Sequence, residues 1–143
     1  MESGVHVQEL IDGFWPIHVL TALAQLEFPE ALASGPVAPA DCYLLKCIIH
    51  DWDDARARQI LTSCRHGVGA DGVILLIDRL LPDRFADIPD HRRMARADLT
   101  MMGYGGQERS EREMFTLLDS AGLRPVRIVG QAWTLSVVEV RAA

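Results

Sequence analysis

The sequence predicts an α/β fold of roughly four strands with amphipathic helices ahead of it, and three observations carry that reading. The run Leu44 to Ile49 is apolar and long enough for one buried strand, and it breaks off into His50, Asp51, Trp52, Asp53 and Asp54. Gly72 to Ile77, Gly-Val-Ile-Leu-Leu-Ile, is the clearest strand in the chain and ends in Asp78, with a helix-patterned stretch between the two runs. Ser110-Glu111-Arg112-Glu113 sets a hydroxyl three residues ahead of a carboxylate, the pattern of a capping box, and two further strand-like runs follow it.

From Val5 to about Leu26, apolar residues recur at helical intervals: Val7, Leu10, Ile11 and Phe14, then Ile17, Leu20, Leu23 and Ala24. This predicts two short amphipathic helices, or one kinked at Pro16, whose stripe must bury against its own domain or a partner chain. Gly35-Pro36-Val37-Ala38-Pro39-Ala40 can continue neither regular element, so it separates an N-terminal helical segment, residues 1–36, from an α/β portion, residues 37–143. Tyr43 to Ile49 then reads as a strand apolar on both faces, as central parallel strands are. Asp53 or Asp54 caps the next helix, Ile60, Leu61, Cys64 and Val68 form its buried stripe, and Gly67 or Gly69 stops it. Strand, helix and strand with short connections make a parallel unit, with His50 and Asp78 on one rim of the sheet.

Pro82 to Pro89 is a loop, Asp90 to about Met102 a helix, and Gly103, Gly105 and Gly106 form a turn ahead of Glu108. The capped helix carries Phe115, Leu118 and Ala121 and closes at Gly122. Leu123 to Val129 and Leu135 to Val140 are the last two strands, joined by a loop around Gly130 to Thr134.

Composition removes several function classes. With 20 acidic against 14 basic residues the formal charge is -6, and no Lys/Arg stripe forms, so nucleic acid and anionic membrane are poor partners. Arg92, Arg93 and Arg96 are flanked by Asp87, Asp90 and Asp98 and read as a solvated face. Cys42, Cys47 and Cys64 are odd in number and lack the spacing of a zinc knuckle, which argues against structural disulfides and against a metal site. Cys42 and Cys47 are expected to be buried as small apolar residues. No apolar run approaches a membrane span, and the start, Met1-Glu2-Ser3-Gly4, lacks the positive region of a signal peptide, so a reducing, cytoplasmic setting is expected.

One motif fails on polarity. Gly67-Val68-Gly69-Ala70-Asp71-Gly72 matches G-x-G-x-x-G, but a dinucleotide fingerprint needs a strand before it and a helix after it, and here the order is reversed. His50 carries more. Alone, a histidine at the end of an apolar strand is more often a structural hydrogen-bonding residue. With Asp78 on the neighbouring rim and Glu108 after a glycine turn, carboxylates can fix the tautomer and orientation of a neutral imidazole, which then serves as a general base.

These residues also carry a resemblance. Lys46-Cys-Ile-Ile-His50-Asp-Trp52, followed by Asp53-Asp54 and Ile60-Leu61, resembles the segment around the catalytic base of S-adenosylmethionine-dependent small-molecule O-methyltransferases, of the plant caffeate and bacterial polyketide type. Leu75-Leu76-Ile77-Asp78-Arg79-Leu80-Leu81-Pro82-Asp83, Asp98-Leu99-Thr100-Met101-Met102, Gly105-Gly106-Gln107-Glu108-Arg109-Ser110-Glu111 and Leu135-Ser136-Val137-Val138-Glu139-Val140 resemble that family's later signatures, so that the likeness runs nearly continuously from Ala40 to Arg141.

The resemblance implies a partial doubly wound, Rossmann-like methyltransferase sheet and a methyl transfer from S-adenosylmethionine to a hydroxyl of a small aromatic natural product. His50 would be the general base, and Asp78 and Glu108 would orient it. The family usually carries Glu where this chain has Asp78, one methylene shorter. Lys46 and Trp52 match cofactor-binding positions, and Met101 and Met102 match residues of the acceptor pocket. Val5 to Ser34 resembles only the opening helices of the family's N-terminal dimerisation region, after which the chain jumps to the strand of His50. The glycine-rich cofactor loop and the first three strands have no counterpart. A chain of this kind is expected to bind the cofactor weakly alone and to form a homodimer or associate with a homologous chain. The alternative is a catalytically inactive, truncated homologue that serves as a binding or dimerisation partner.

Overall fold

A computed structural model describes Val37 and residues 39–143; the helices expected in residues 1–36, and half of the boundary at residues 35–40, lie outside the described residues. In chain order the elements are β1 (Ala40–Lys46), a short 3-10 turn (Ile49–Asp51), α1 (Asp54–Gly67), β2 (Val68–Asp78), β3 (Leu80–Leu81), α2 (Pro89–Gly103), β4 (Arg109–Ser110), α3 (Glu111–Ser120), β5 (Leu123–Ala132) and β6 (Leu135–Ala142). The main sheet has four strands in the order β1-β2-β6-β5. β1 and β2 are parallel, as the strand-helix-strand spacing predicts, whereas β2–β6 and β6–β5 are antiparallel. β3 and β4 form a separate two-residue parallel ladder, too short to leave a period in the sequence.

Alternation along the strands builds the core. Leu45, Ile74, Leu76, Val138 and Val140 project to one face, where Ala57, Ile60, Leu61 and Cys64 of α1 and Met114, Leu117 and Leu118 of α3 cover them. Leu44, Leu75, Ile77 and Val137 belong to the other face, with Val129, Ala132 and Leu135. The side chain of Asp53 caps α1 by accepting the Arg56 amide at 2.8 Å, and Ser110 and Glu113 form the complete capping box of α3. Gly122 follows α3 with φ +71°, a conformation that favours glycine. Val68, expected on the α1 stripe, is instead the first residue of β2.

Three other expectations change. β1 stops at Lys46 and does not reach Ile49, because Cys47 takes a left-handed conformation (φ +53°) and its amide donates to Ile77 O at 2.9 Å. The loop expected around Gly130–Thr134 contracts to Trp133 and Thr134, since Gly130, Gln131 and Ala132 find ladder partners in Val137, Ser136 and Leu135. Cys42 is exposed; Cys47 is half-buried and Cys64 buried. α2 is a regular helix with no buried residue, and Leu99, Met102 and Tyr104 on or beside it stand in solvent.

Candidate active site

The site is assembled by the turn after β1, the end of β2 and the loop that follows α2. Ile48 and Ile49 are buried in the core, which pins the turn and sets His50 above the sheet rim. The pairing Lys46↔Ile77 brings Asp78, the next residue of β2, alongside that turn. The loop after α2 closes on it from the third side. Gly105 has φ +88°, a Cβ on Gly106 would run into the His50 carbonyl, and the Gln107 amide donates to that carbonyl at 2.9 Å. The Glu108 amide donates to Asp98 Oδ1 at 2.9 Å, which anchors the loop back to α2.

The result is a buried carboxylate–imidazole cluster. His50 Nδ1 lies 3.1 Å from Asp78 Oδ1 and 3.1 Å from Glu108 Oε1, while the His50 amide donates to Asp78 Oδ2 at 3.2 Å. His50, Asp78 and Glu108 are all buried, with Asp78 only 1% exposed. Two carboxylates on Nδ1 favour the tautomer with its proton there, which leaves the Nε2 lone pair to accept a proton. Nε2 has Asp51 Oδ1 3.4 Å away, on a carboxylate that is half exposed.

The electrostatics oppose one another. Burial alone pulls the His50 pKa down, but the Glu108 hydrogen bond and the charges of Asp78, Glu108 and Asp51 outweigh it and hold the imidazole above its ordinary value. Asp78 is pushed up to about 6, chiefly by burial, against the stabilising charge of His50.

Two arginines that sequence reading passed over complete the surroundings. Arg79 Nη1 donates to Glu108 Oε1 at 2.8 Å and its Nε to Thr134 Oγ1 at 3.2 Å. Arg109, 2% exposed, donates to Ile49 O at 3.1 Å, Trp52 O at 2.9 Å and Asp54 Oδ1 at 2.8 Å, and so holds both ends of the turn that carries His50. Neither stands in a pattern of its own: each is a single basic residue beside an acidic one, which reads as surface charge.

The other expected site residues are dispersed. Lys46 is buried at the end of β1, and Trp52 is half-buried against the core, with the Arg56 guanidinium 5.9 Å from its ring. Met101 is half-buried and Met102 is 62% exposed on α2. Among the described residues the G-x-G-x-x-G glycines end a helix and enter β2, and thus do not form a strand-to-helix cradle.

Cys47, His50 and Asp78 offer ligand atoms within 4.8 Å of one another. Burial pushes the Cys47 thiol up to about 11, and Nδ1 is engaged by carboxylates, so this set is poorly prepared to bind a cation. No helix among the described residues is long and apolar enough to cross a membrane.

Residues 23–124 match the O-methyltransferase domain family. The chain is 35% identical over 133 residues to the O-methyltransferase SfmM3 of Streptomyces lavendulae, a match spanning 90% of this chain and 39% of that protein. It is 42% identical over 89 residues to the O-demethylpuromycin-O-methyltransferase of Streptomyces alboniger, covering 62% of this chain and 23% of that one. Among solved structures, TnmH superimposes with a TM-score of 0.72 at 33% identity, over 78% of this chain and 33% of its own. NcsB1, an O-methyltransferase from neocarzinostatin biosynthesis in complex with S-adenosyl-L-homocysteine and 1,4-dihydroxy-2-naphthoic acid, gives 0.66 at 34% identity, over 78% of this chain and 32% of its own. The chain thus spans 39% or less of the length of these relatives. With a match over residues 23–124 and a Rossmann-like partial sheet that superimposes on solved members, this chain belongs to the O-methyltransferase family.

Proposed function

We propose that this chain carries the acceptor-activating part of an S-adenosylmethionine-dependent O-methyltransferase, with His50 as the general base for a hydroxyl of a small aromatic natural product. The observation behind this reading is the convergence of Asp78 and Glu108 on His50 Nδ1 at 3.1 Å each. Held in this way, the imidazole takes the hydroxyl proton at Nε2 as the oxygen becomes nucleophilic, and the carboxylates stabilise the imidazolium that results. The methyl group comes from the donor, and since Lys46 and Trp52 are only part of a seat for it, the remaining contacts come from another segment or chain.

Association with a homologous chain fits the same view. α2 buries no residue, and Leu44, Leu75 and Leu135 on the face away from α1 and α3 are only half-buried. We assign residues 1–36 to a helical, dimerisation-type segment and 37–143 to the C-terminal part of the methyltransferase domain.

The test is methyl transfer to a panel of phenols by the chain and by its His50→Ala variant, each with and without a full-length homologue. Transfer that falls by about 100-fold or more in the variant supports the base. Transfer that is absent throughout, or indifferent to His50, supports the other reading, a catalytically inactive binding partner.

A further inference from the structure

Glu108 is held in the cluster through one oxygen only. Its Oε1 accepts from Arg79 at 2.8 Å and lies 3.1 Å from His50 Nδ1, while its buried Oε2 has no hydrogen-bond partner among the described residues. A buried carboxylate held through one oxygen is stabilised by a cation placed against it. Arg79 is such a cation. It stands directly after β2, 27% exposed, and its own Nε is tied to Thr134 in the two-residue turn between β5 and β6.

We infer that Arg79 is a positioning residue which, anchored by Thr134, holds Glu108 aimed at His50 and sets its own positive charge against the carboxylates there, and thereby sets the pH at which His50 becomes free to accept a proton. The inference rests on His50 being the base, but its geometry does not. Facing the imidazole are Asp51 from its own turn, Asp78 from the end of β2 and Glu108 from the loop before β4, with the Cys47 thiol nearby and Lys46 acting on that thiol from the end of β1. Against these carboxylates the guanidinium of Arg79 is a permanent positive charge in direct contact with Glu108.

Charge counting gives the sign. With Arg79 in place, deprotonating the imidazolium leaves Asp78 and Glu108 beside its positive charge. Without it, the same step leaves the two buried carboxylates one cation poorer, so the imidazole retains its proton to higher pH. A purely structural arginine would lower stability on removal and leave this titration where it was.

The experiment follows the His50 ring Cε1–H signal by NMR across pH in the whole chain, identified by its absence from His50→Gln, and compares the wild type with Arg79→Gln and Arg79→Lys. The midpoint is expected to rise by about one pH unit in Arg79→Gln, and by less in Arg79→Lys, which keeps the charge but loses the fork to Thr134. An unchanged or lowered midpoint in Arg79→Gln overturns the proposal. Should that variant not fold, Arg79→Lys decides by the same rule: a rise supports the proposal and no rise overturns it. The readout needs neither methyl donor nor acceptor, so a failure of His50 as the base would appear in the transfer assay and leave this titration interpretable.

Discussion

The amide of Gln107 donates to the carbonyl oxygen of His50 at 2.9 Å, so the loop that delivers Glu108 is fastened to the turn that delivers the base. Gly106 makes this approach possible, since its main chain lies where any side chain would meet the His50 carbonyl and the Asp51 backbone. Local geometry and site chemistry therefore depend on the same few atoms.

Gly106→Ala is expected to separate the two segments. A methyl group there meets main chain, which cannot rotate away, so the loop must shift and the Glu108–His50 contact must lengthen. Urea unfolding should show a loss of about 2 kcal/mol or more, and a variant as stable as the wild type would mean that the loop is not closed on the turn in solution.

Arg109→Met tests the brace beneath the turn. The substitution fills similar space but removes the donor of the Trp52 carbonyl and leaves the Ile49 carbonyl with the Trp52 amide at 3.3 Å alone. A destabilisation of about 3 kcal/mol is expected from denaturant titration, since hydrogen bonds to a charged group are lost. A change of a few tenths would show that water replaces the guanidinium at no cost.

The cluster predicts a pH dependence of stability with a definite sign. His50 is raised above its ordinary 6.5, so its favourable contacts are complete below 6.5 and disappear as the pH rises through its folded value. Asp78 is raised from 3.8 to about 6, so the folded state binds more protons across that interval and loses stability as the pH rises through it. Both act in one direction. Glu113 and Glu139 are lowered, and their contribution is lost only on acidifying below about 4.5, outside the window. The melting temperature should therefore be higher near about pH 5 than near about pH 8, and His50→Gln should flatten that difference. A wild-type profile that rises over the same range would contradict the assignment.

Isothermal titration of the chain with S-adenosylmethionine should show weak or undetectable binding. Among the described residues the glycines of G-x-G-x-x-G end a helix and enter a strand, and thus form no cradle at the end of a parallel strand. Tight one-to-one binding would show that no such cradle is needed.

Ser110→Ala removes the half of the capping box in which the hydroxyl accepts the Glu113 amide at 3.3 Å, together with the hydroxyl's bond to Glu113 Oε2 at 2.7 Å, while the Ser110 amide still donates to Glu113 Oε2 at 2.8 Å. A loss of about 1 kcal/mol in unfolding free energy is expected. No loss would mean that packing of Met114 and Leu118 alone sets where the helix begins.

Much of this was legible in the residues, for identifiable reasons. A capping box, an apolar stripe or a strand of Ile and Leu is a local pattern, so α1, α3, β1 and β2 could be read directly, as could the parallel pairing of the two strands. The end of β1 could not. Whether an Ile-Ile pair continues a strand or turns under it depends on Cys47 finding Ile77 O, a contact made across the sheet. The β3–β4 ladder and the β5–β6 turn were missed for the same reason, because their hydrogen bonds join residues whose sequence shows no period.

The site divides along the same line. The residues alone say which groups are available: an imidazole at the end of an apolar run, carboxylates at the ends of the next elements, and a glycine turn ahead of Glu108. It is the fold that brings Asp78 and Glu108 to the same nitrogen of His50, sets Arg79 and Thr134 behind Glu108, and buries Arg109 beneath the turn. A charge pattern along a chain specifies no partner. An arginine beside an acid reads as surface until the fold removes water from around it, and then the same residue becomes a buried donor whose few contacts set the charge of the group it touches.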